Sequence, residues 1–148
     1  MRGPRARFPA ARLRGALLVL GGSDGLAELD SVDALEAGGG AWRARKRLPG
    51  ARVHAAAAGA GPGQGEGQGE GEGALYVVGG WAAGHHLRRV DRYSPDTDEW
   101  TEAPPLITGH YMIHSLSIQS VTFLIFQVER SPALEFLLKL FSTDGLSI

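Results

Sequence analysis

Short apolar runs separated by turn-forming residues recur along the first two thirds of the chain. The run "ALYVVGG" (74–80) ends in two glycines, and "LLVLGG" (17–22) is nearly the same. Continuous apolar runs of this length are typical of strands buried on both faces. The stretch "RRVDRY" (88–93) alternates charged and apolar residues, as half-buried strands do, and "SPDTDEW" (94–100) has turn chemistry. The pattern predicts short β-strands joined by turns.

The two glycine pairs mark an internal repeat with a shift of 58 residues. The shift aligns Gly21 with Gly79, Gly22 with Gly80, Val32 with Val90, Asp33 with Asp91 and Trp42 with Trp100. Without the glycine-rich stretch between the copies, the period falls to about 45 to 48 residues, as in blade-forming repeats. Each copy therefore predicts one small sheet, whose tryptophan packs against the neighbouring sheet.

Composition changes along the chain predict its domain organisation. The stretch "GAGPGQGEGQGEGEG" alternates glycine with glutamine and glutamate, so it has nothing to bury and predicts a flexible loop. The arginine-rich N-terminus is read as a basic lead-in, with a mitochondrial transit peptide as the alternative. The predicted segments are a basic lead-in at 1–15, a first repeat at 16–58, the flexible loop at 59–73, a second repeat at 74–106 and a tail without the repeat at 107–148.

These repeated positions resemble the kelch repeat. The second copy carries the run from Leu75 to Gly80 followed by Val90, Tyr93 and Trp100, whereas the first has Leu35 where the family usually has tyrosine. The arginine-then-histidine pattern of the family is present as Arg52 and His54. The resemblance covers about residues 16–106 and implies that each repeat is one four-stranded blade. It assigns structural roles to Gly21, Gly22, Trp42, Gly79, Gly80, Tyr93 and Trp100.

The fold class expected is all-β, a partial kelch-type β-propeller of about two blades with an irregular or helical C-terminal tail. In the tail, Ser131 and Pro132 predict the start of a helix, whereas "SVTFLIFQV" (120–128) is β-prone. Propellers usually have four to eight blades. Two blades and an abrupt end of the pattern indicate a truncated or alternatively terminated product of a longer kelch protein.

Several chemistries find no support in the sequence. The chain has no cysteine, a formal net charge of −1 and five histidines without metal-binding spacing. The basic run "WRARKR" (42–47) is replaced by the acidic "WTEAPP" (100–105) in the second copy, as expected of variable surface rather than a nucleic-acid interface. No apolar window is long enough to span a bilayer. We therefore predict no catalytic residue, cofactor or metal site, and neither a nucleic-acid nor a membrane partner.

The loop after the second glycine pair is the candidate binding site. Its aromatic and basic residues are typical of an interaction surface, with ordinary exposed loop residues as the alternative; they are Trp81, His85, His86 and Arg88. Many kelch proteins are substrate receptors of cullin-based ubiquitin ligases, joined through a BTB domain that is absent from this sequence. The resemblance thus implies a non-catalytic protein-interaction module in the cytoplasm, or also the nucleus, that binds a ubiquitination substrate.

Two alternative functions remain open, and self-association is a further predicted interaction. The first alternative is an actin-binding or cytoskeletal kelch module. The second is a truncated product with no stable fold and no independent function. Exposed blade faces also predict self-association, because a blade without a neighbour leaves apolar surface in water.

Overall fold

Two four-stranded antiparallel sheets form most of the structure. The computed structural model describes residues 1, 3–60 and 73–106, together with the backbone of two strands in the tail. The first sheet contains β1 (Ala10–Leu13), β2 (Ala16–Leu20), β3 (Val32–Leu35) and β4 (Arg43–Arg45). These strands lie in chain order across the sheet, as successive hairpins do.

The second sheet repeats this order with a small hairpin inserted in one loop. Its strands and that hairpin are β5 (Ala56–Ala60), β6 (Ala74–Val78), the two hairpin strands β7 (Trp81–Ala82) and β8 (His85–His86), then β9 (Val90–Ser94) and β10 (Glu99–Ala103). The sheet order is β5-β6-β9-β10. Strand β5 pairs with β6 from Ala56–Val78 to Ala60–Ala74, so the glycine-rich stretch joins two neighbouring strands, as the resemblance implies.

The prediction of an all-β fold is confirmed. The part of the chain that the structure describes contains antiparallel strands and no helix. A further hairpin in the tail pairs β11 (His114–Ile118) with β12 (Val121–Ile125), and β12 lies within the β-prone run of the sequence. The helix predicted to begin at Ser131 lies outside the described residues.

The first sheet begins earlier than the sequence pattern indicates. Strand β1 lies inside residues 1–15, which composition marks only as a basic lead-in. Its Leu13 is 3% exposed and pairs with Ala16 across a tight turn. Because β1 carries a single large apolar residue, it has no strong hydrophobic pattern. The first blade is therefore complete, with all four strands.

The core of the structure lies between the two sheets. Alternate residues of a strand share a face, and one face of each sheet packs against the other. The core includes Leu18, Leu20 and Val32 from the first sheet and Leu75, Val77 and Tyr93 from the second, with Trp100 packed against it. Each large side chain buried here contributes about 1.5–3 kcal/mol relative to exposure. The two blades thus stabilise one another.

Polar contacts at the β9–β10 turn fasten the second blade to the first. The Trp100 indole Nε1–H donates to the Lys46 carbonyl at 3.0 Å, and the Lys46 N–H donates to Asp98 Oδ1 at 3.0 Å. The Tyr93 hydroxyl donates to the same oxygen at 2.6 Å, and its ring lies 5.0 Å from that of Trp100. Burial, followed by this hydrogen bond to Asp98, raises the pKa of Tyr93 well above its usual range.

The equivalent face of the first blade is more open. Trp42 and Leu35, at the positions of Trp100 and Tyr93, are half-buried, and Leu17 is 37% exposed. Glycines with positive φ occupy the preceding turn, where the second blade has its acidic residues. This blade therefore retains the repeated tryptophan without the tyrosine and aspartate that accompany it in the second blade.

Both glycine pairs adopt left-handed backbone conformations that side chains disfavour. The φ angles are 58° at Gly21 and 91° at Gly22, and 59° at Gly79 and 105° at Gly80. A β-carbon at Gly22 would lie 2.7 Å from the Ala6 carbonyl oxygen. The second glycine of each pair therefore meets both the backbone and the steric requirement for glycine.

A pair of alanine substitutions separates these two requirements. Gly25 has a similar φ of 96°, but a β-carbon there would meet nothing within 4 Å, so Gly25→Ala isolates the backbone strain, about 1–2 kcal/mol. Gly22→Ala adds the clash with Ala6 and Phe8, and we expect it to cost about 1–3 kcal/mol more. Urea denaturation of both variants measures the difference. Equal free energies of unfolding for Gly22→Ala and Gly25→Ala would contradict the close approach of Ala6 and Phe8 to Gly22.

Candidate functional site

Each glycine pair is followed by a six-residue hairpin at the same end of its blade. These hairpins occupy residues 23–28 and 81–86. The Leu29 N–H donates to the Gly22 carbonyl at 2.7 Å, and the Leu87 N–H donates to the Gly80 carbonyl at 2.9 Å, which closes both at their base. The two loops therefore share one length and a hydrogen-bonded base. They differ in their side chains and in their turns, because Ala83 and Gly84 both have positive φ whereas in the first hairpin Gly25 does and Leu26 does not.

The first hairpin holds an exposed leucine at its tip. Asp24 Oδ1 accepts the N–H groups of Leu26 at 2.9 Å and of Ala27 at 2.8 Å. These backbone hydrogen bonds, that of Ala27 first, lower the pKa of Asp24, because they stabilise the charged carboxylate. The Leu26 side chain is 98% exposed. An aspartate-centred turn thus presents an apolar side chain to solvent in a defined position.

The second hairpin carries three of the four residues predicted for the binding loop. Trp81 and His86 pair across its two strands, with ring centroids 4.8 Å apart. Ala83 and Gly84 form the turn with φ angles of 48° and 81°, as two-residue hairpin turns require. His85 and His86 are exposed, whereas Trp81 is half-buried. The aromatic pair therefore covers one side of this hairpin.

A hydrogen bond joins the hairpins into one surface. Glu28 Oε2 accepts the Ala83 N–H at 3.1 Å, from the base of the first hairpin to the turn of the second. Here we name residues 23–28 and 81–86 together the hairpin face. The sequence pointed to both loops as variable, but its candidate residues were all assigned to the second copy. Leu26 and Glu28 were not singled out, although the Ser-Asp-Gly turn chemistry before Leu26 was a usable signal.

Arg88, the fourth predicted residue, lies just beyond the second hairpin. It is exposed, and its Nε donates to the Leu106 carbonyl at 2.8 Å. The neighbouring Arg89 was not predicted; its Nε donates to Asp91 Oδ1 at 2.7 Å. The structure thus brings all four predicted loop residues to one end of the second blade and adds a second arginine.

A buried arginine–aspartate pair lies beneath each hairpin. Arg52 contacts Asp91 at 2.6 Å with side chains 1% and 0% exposed, and Arg5 contacts Asp33 at 2.6 Å with 3% and 0% exposed. Arg5 also donates to the carbonyls of Gly21 and Ser31. Desolvation lowers the pKa of Arg52, and Asp91 opposes that shift. Each pair therefore ties the chain before the first strand to the third strand of the same blade.

The resemblance identified Arg52 but not its counterpart Arg5. The segment "RARF" (5–8) matches "RVHA" (52–55) at a shift of 47 residues rather than 58, because only the second copy has the glycine-rich stretch between its first two strands. Arg7 and His54 occupy equivalent positions with φ angles of 58° and 55°, and the His54 N–H donates to the Arg7 carbonyl at 2.9 Å. His54 thus takes a structural place in the repeat.

Neither a metal-binding cluster nor a membrane-spanning helix is found in the described part of the chain. Within residues 1, 3–60 and 73–106, no three His, Cys, Asp or Glu side chains are grouped closely enough to hold a metal ion. Among the same residues there is no helix long and apolar enough to cross a membrane. Among the described residues, the hairpin face therefore remains the candidate site.

Comparisons with known proteins agree with this architecture. Residues 70–107 match the Kelch motif family. The solved structure of YjhT matches with a TM-score of 0.62 and 18% sequence identity, over 82% of this chain and 34% of that chain. The chain therefore spans about a third of the length of YjhT. A search of curated proteins found no match. The chain contains a Kelch motif, and its two sheets have the fold of blades of a kelch-type propeller.

The buried pair of the second blade makes a direct prediction about stability. Asp91→Ala leaves the Arg52 guanidinium buried without its carboxylate, so we expect the free energy of unfolding to fall by about 3–5 kcal/mol. Glu36→Ala is the matched control, because it removes an exposed partner of Arg45 and should cost less than about 1 kcal/mol. Chemical denaturation measures the free energy of unfolding of both variants. Similar losses would show that the buried Arg52–Asp91 pair stabilises the fold no more than the exposed Glu36–Arg45 pair.

Proposed function

We propose that this kelch-repeat chain is a non-catalytic protein-interaction module that binds its partner through the hairpin face. Kelch repeats generally mediate protein–protein contacts, and the Kelch motif over residues 70–107 supports this class of function. The loops that carry the face are held by a rigid scaffold, as recognition loops generally are.

The observation that carries the proposal is the position of Leu26. A 98% exposed leucine has no role in the core, yet Asp24 braces its turn by accepting the N–H groups of Leu26 and Ala27. Covering a leucine side chain contributes about 1.5–3 kcal/mol, and a preorganised loop loses little entropy on binding. The Trp81–His86 pair beside it adds the aromatic surface that interaction sites favour.

The finer proposal is substrate recognition for a cullin-based ubiquitin ligase in the cytoplasm. Its support is the kelch resemblance together with an exposed, aromatic and polar recognition face. In such an assembly the hairpin face contacts the substrate protein, and no group of this chain reacts with it. The open face of the first blade, with Leu17 and Trp42, supports the further proposal that copies of the chain associate.

Truncation of Leu26 tests the interaction site without affecting the fold. Peptides that bind the chain are first selected from a random 12-residue display library, and their affinities are then measured by calorimetry. We expect Leu26→Ala to weaken binding about tenfold, which corresponds to about 1.4 kcal/mol of lost apolar contact. Its thermal stability should stay unchanged, because the side chain is solvated.

Thr101→Ala serves as the control, since this exposed side chain lies on β10, outside both the hairpin face and the open face of the first blade. It should leave peptide affinity unchanged. A library that yields no binding peptide, or peptides indifferent to Leu26→Ala, would contradict the proposed site. A chain without a cooperative thermal transition would instead support the alternative of a product without a stable fold.

A further inference from the structure

The buried carboxylate of the second blade contacts two arginines. Asp91 accepts from Arg52 at 2.6 Å and from Arg89 at 2.7 Å, so this cluster of three groups carries a net positive charge. At the aligned position in the first blade, Ser31 replaces Arg89. The additional cation is therefore a property of the second blade rather than a requirement of the repeat.

Arg88 extends this positive charge to the surface. Its Nε bonds to the Leu106 carbonyl, which is uncharged, so that contact leaves the charge of the guanidinium uncompensated. The Arg89 side chain is 38% exposed, and Arg88 is exposed as well. We name Arg88 and Arg89 the cationic shoulder; it follows directly on the hairpin that carries Trp81 and His86.

The first hairpin carries the opposite charge. Asp24 and Glu28 are its ionisable side chains, and the hydrogen bonds that hold Asp24 favour the charged carboxylate. Asp30, which follows, pairs with Arg47 at 2.8 Å. The hairpin face is therefore bipolar, with carboxylates on the first blade and guanidiniums beside the second hairpin. A bipolar surface selects the charge and orientation of its partner.

We propose that the cationic shoulder binds an acidic segment of the partner protein, with the Trp81–His86 pair as the adjoining apolar contact. Guanidinium groups bind carboxylates through strong, directed hydrogen bonds. The acidic first hairpin repels the same segment and so confines it to the second blade. This inference rests on the proposed interaction function and names the chemistry of the partner.

The test uses the random 12-residue library as its probe. Peptides selected on the wild-type chain should carry more Asp and Glu and fewer Lys and Arg than the starting library. A selected pool that is neutral or basic would overturn the acidic preference while leaving the interaction function intact. A library without any enrichment would overturn the interaction function itself, so the two failures are distinguishable.

Charge variants then locate the site. Arg88→Gln and Arg89→Gln should each weaken a selected acidic peptide about two- to fivefold, the range of one exposed charge pair. Glu28→Gln should strengthen it by a similar factor, because the amide oxygen still accepts from Ala83 while the repulsion is lost. Misfolding cannot produce this gain. Arg43→Gln, at the opposite end of the first blade, is the control and should change nothing.

The ionic strength gives an independent readout. Binding of the acidic peptide should weaken as salt rises, and the slope should become smaller in Arg88→Gln than in the wild-type chain. Affinities that respond to Arg88, Arg89 and Glu28 no more than to Arg43 would overturn the proposal, even if acidic peptides had been selected.

Discussion

The architecture depends on one buried ion pair in each blade. Arg5–Asp33 and Arg52–Asp91 join the segment before the first strand to the third strand, directly beneath the glycine pair. Charges this deeply buried are tolerated only when they are paired and hydrogen-bonded. The arginines meet part of that need through the carbonyls of Gly21 and Gly79. The position of each hairpin is therefore coupled to the interior of its blade.

Glycine makes this coupling sterically feasible. The neighbouring segment approaches so closely that a β-carbon at Gly80 would lie 2.8 Å from the Val53 carbonyl oxygen. That approach allows Val53 and Trp81 to exchange backbone hydrogen bonds of 3.0 and 2.8 Å. The hairpin that begins at Trp81 is thus anchored at its base, while its exposed residues remain free to differ between blades. A repeated scaffold with variable side chains is what a recognition surface requires.

The fold could be predicted from the sequence, and so could the residues of the second hairpin that the candidate site contains, for identifiable reasons. Glycine pairs and tryptophans at a constant shift required no tertiary information, so they revealed the repeat. The resemblance to the kelch repeat then implied the order of the strands. Arg5 was missed because the glycine-rich stretch changes the shift from 58 to 47 residues. Leu26 and Arg89 were not singled out for another reason. Turn chemistry before Leu26 indicates a turn, but the exposure of Leu26 and the pairing of Arg89 with Asp91 depend on how the chain folds around them.

Hydrogen exchange under native conditions tests the central claim. The core between the sheets and the close backbone approach at Gly21 and Gly22 make the two blades one unit, and the buried ion pairs support this from within each blade. The amides of Gly22 and His54 link the blades through the carbonyls of Arg52 and Arg7. If the account is right, they exchange with the same free energy and denaturant dependence as amides in the central strands β2 and β6. Exchange of Gly22 and His54 through local openings, well below that free energy, would contradict the claim.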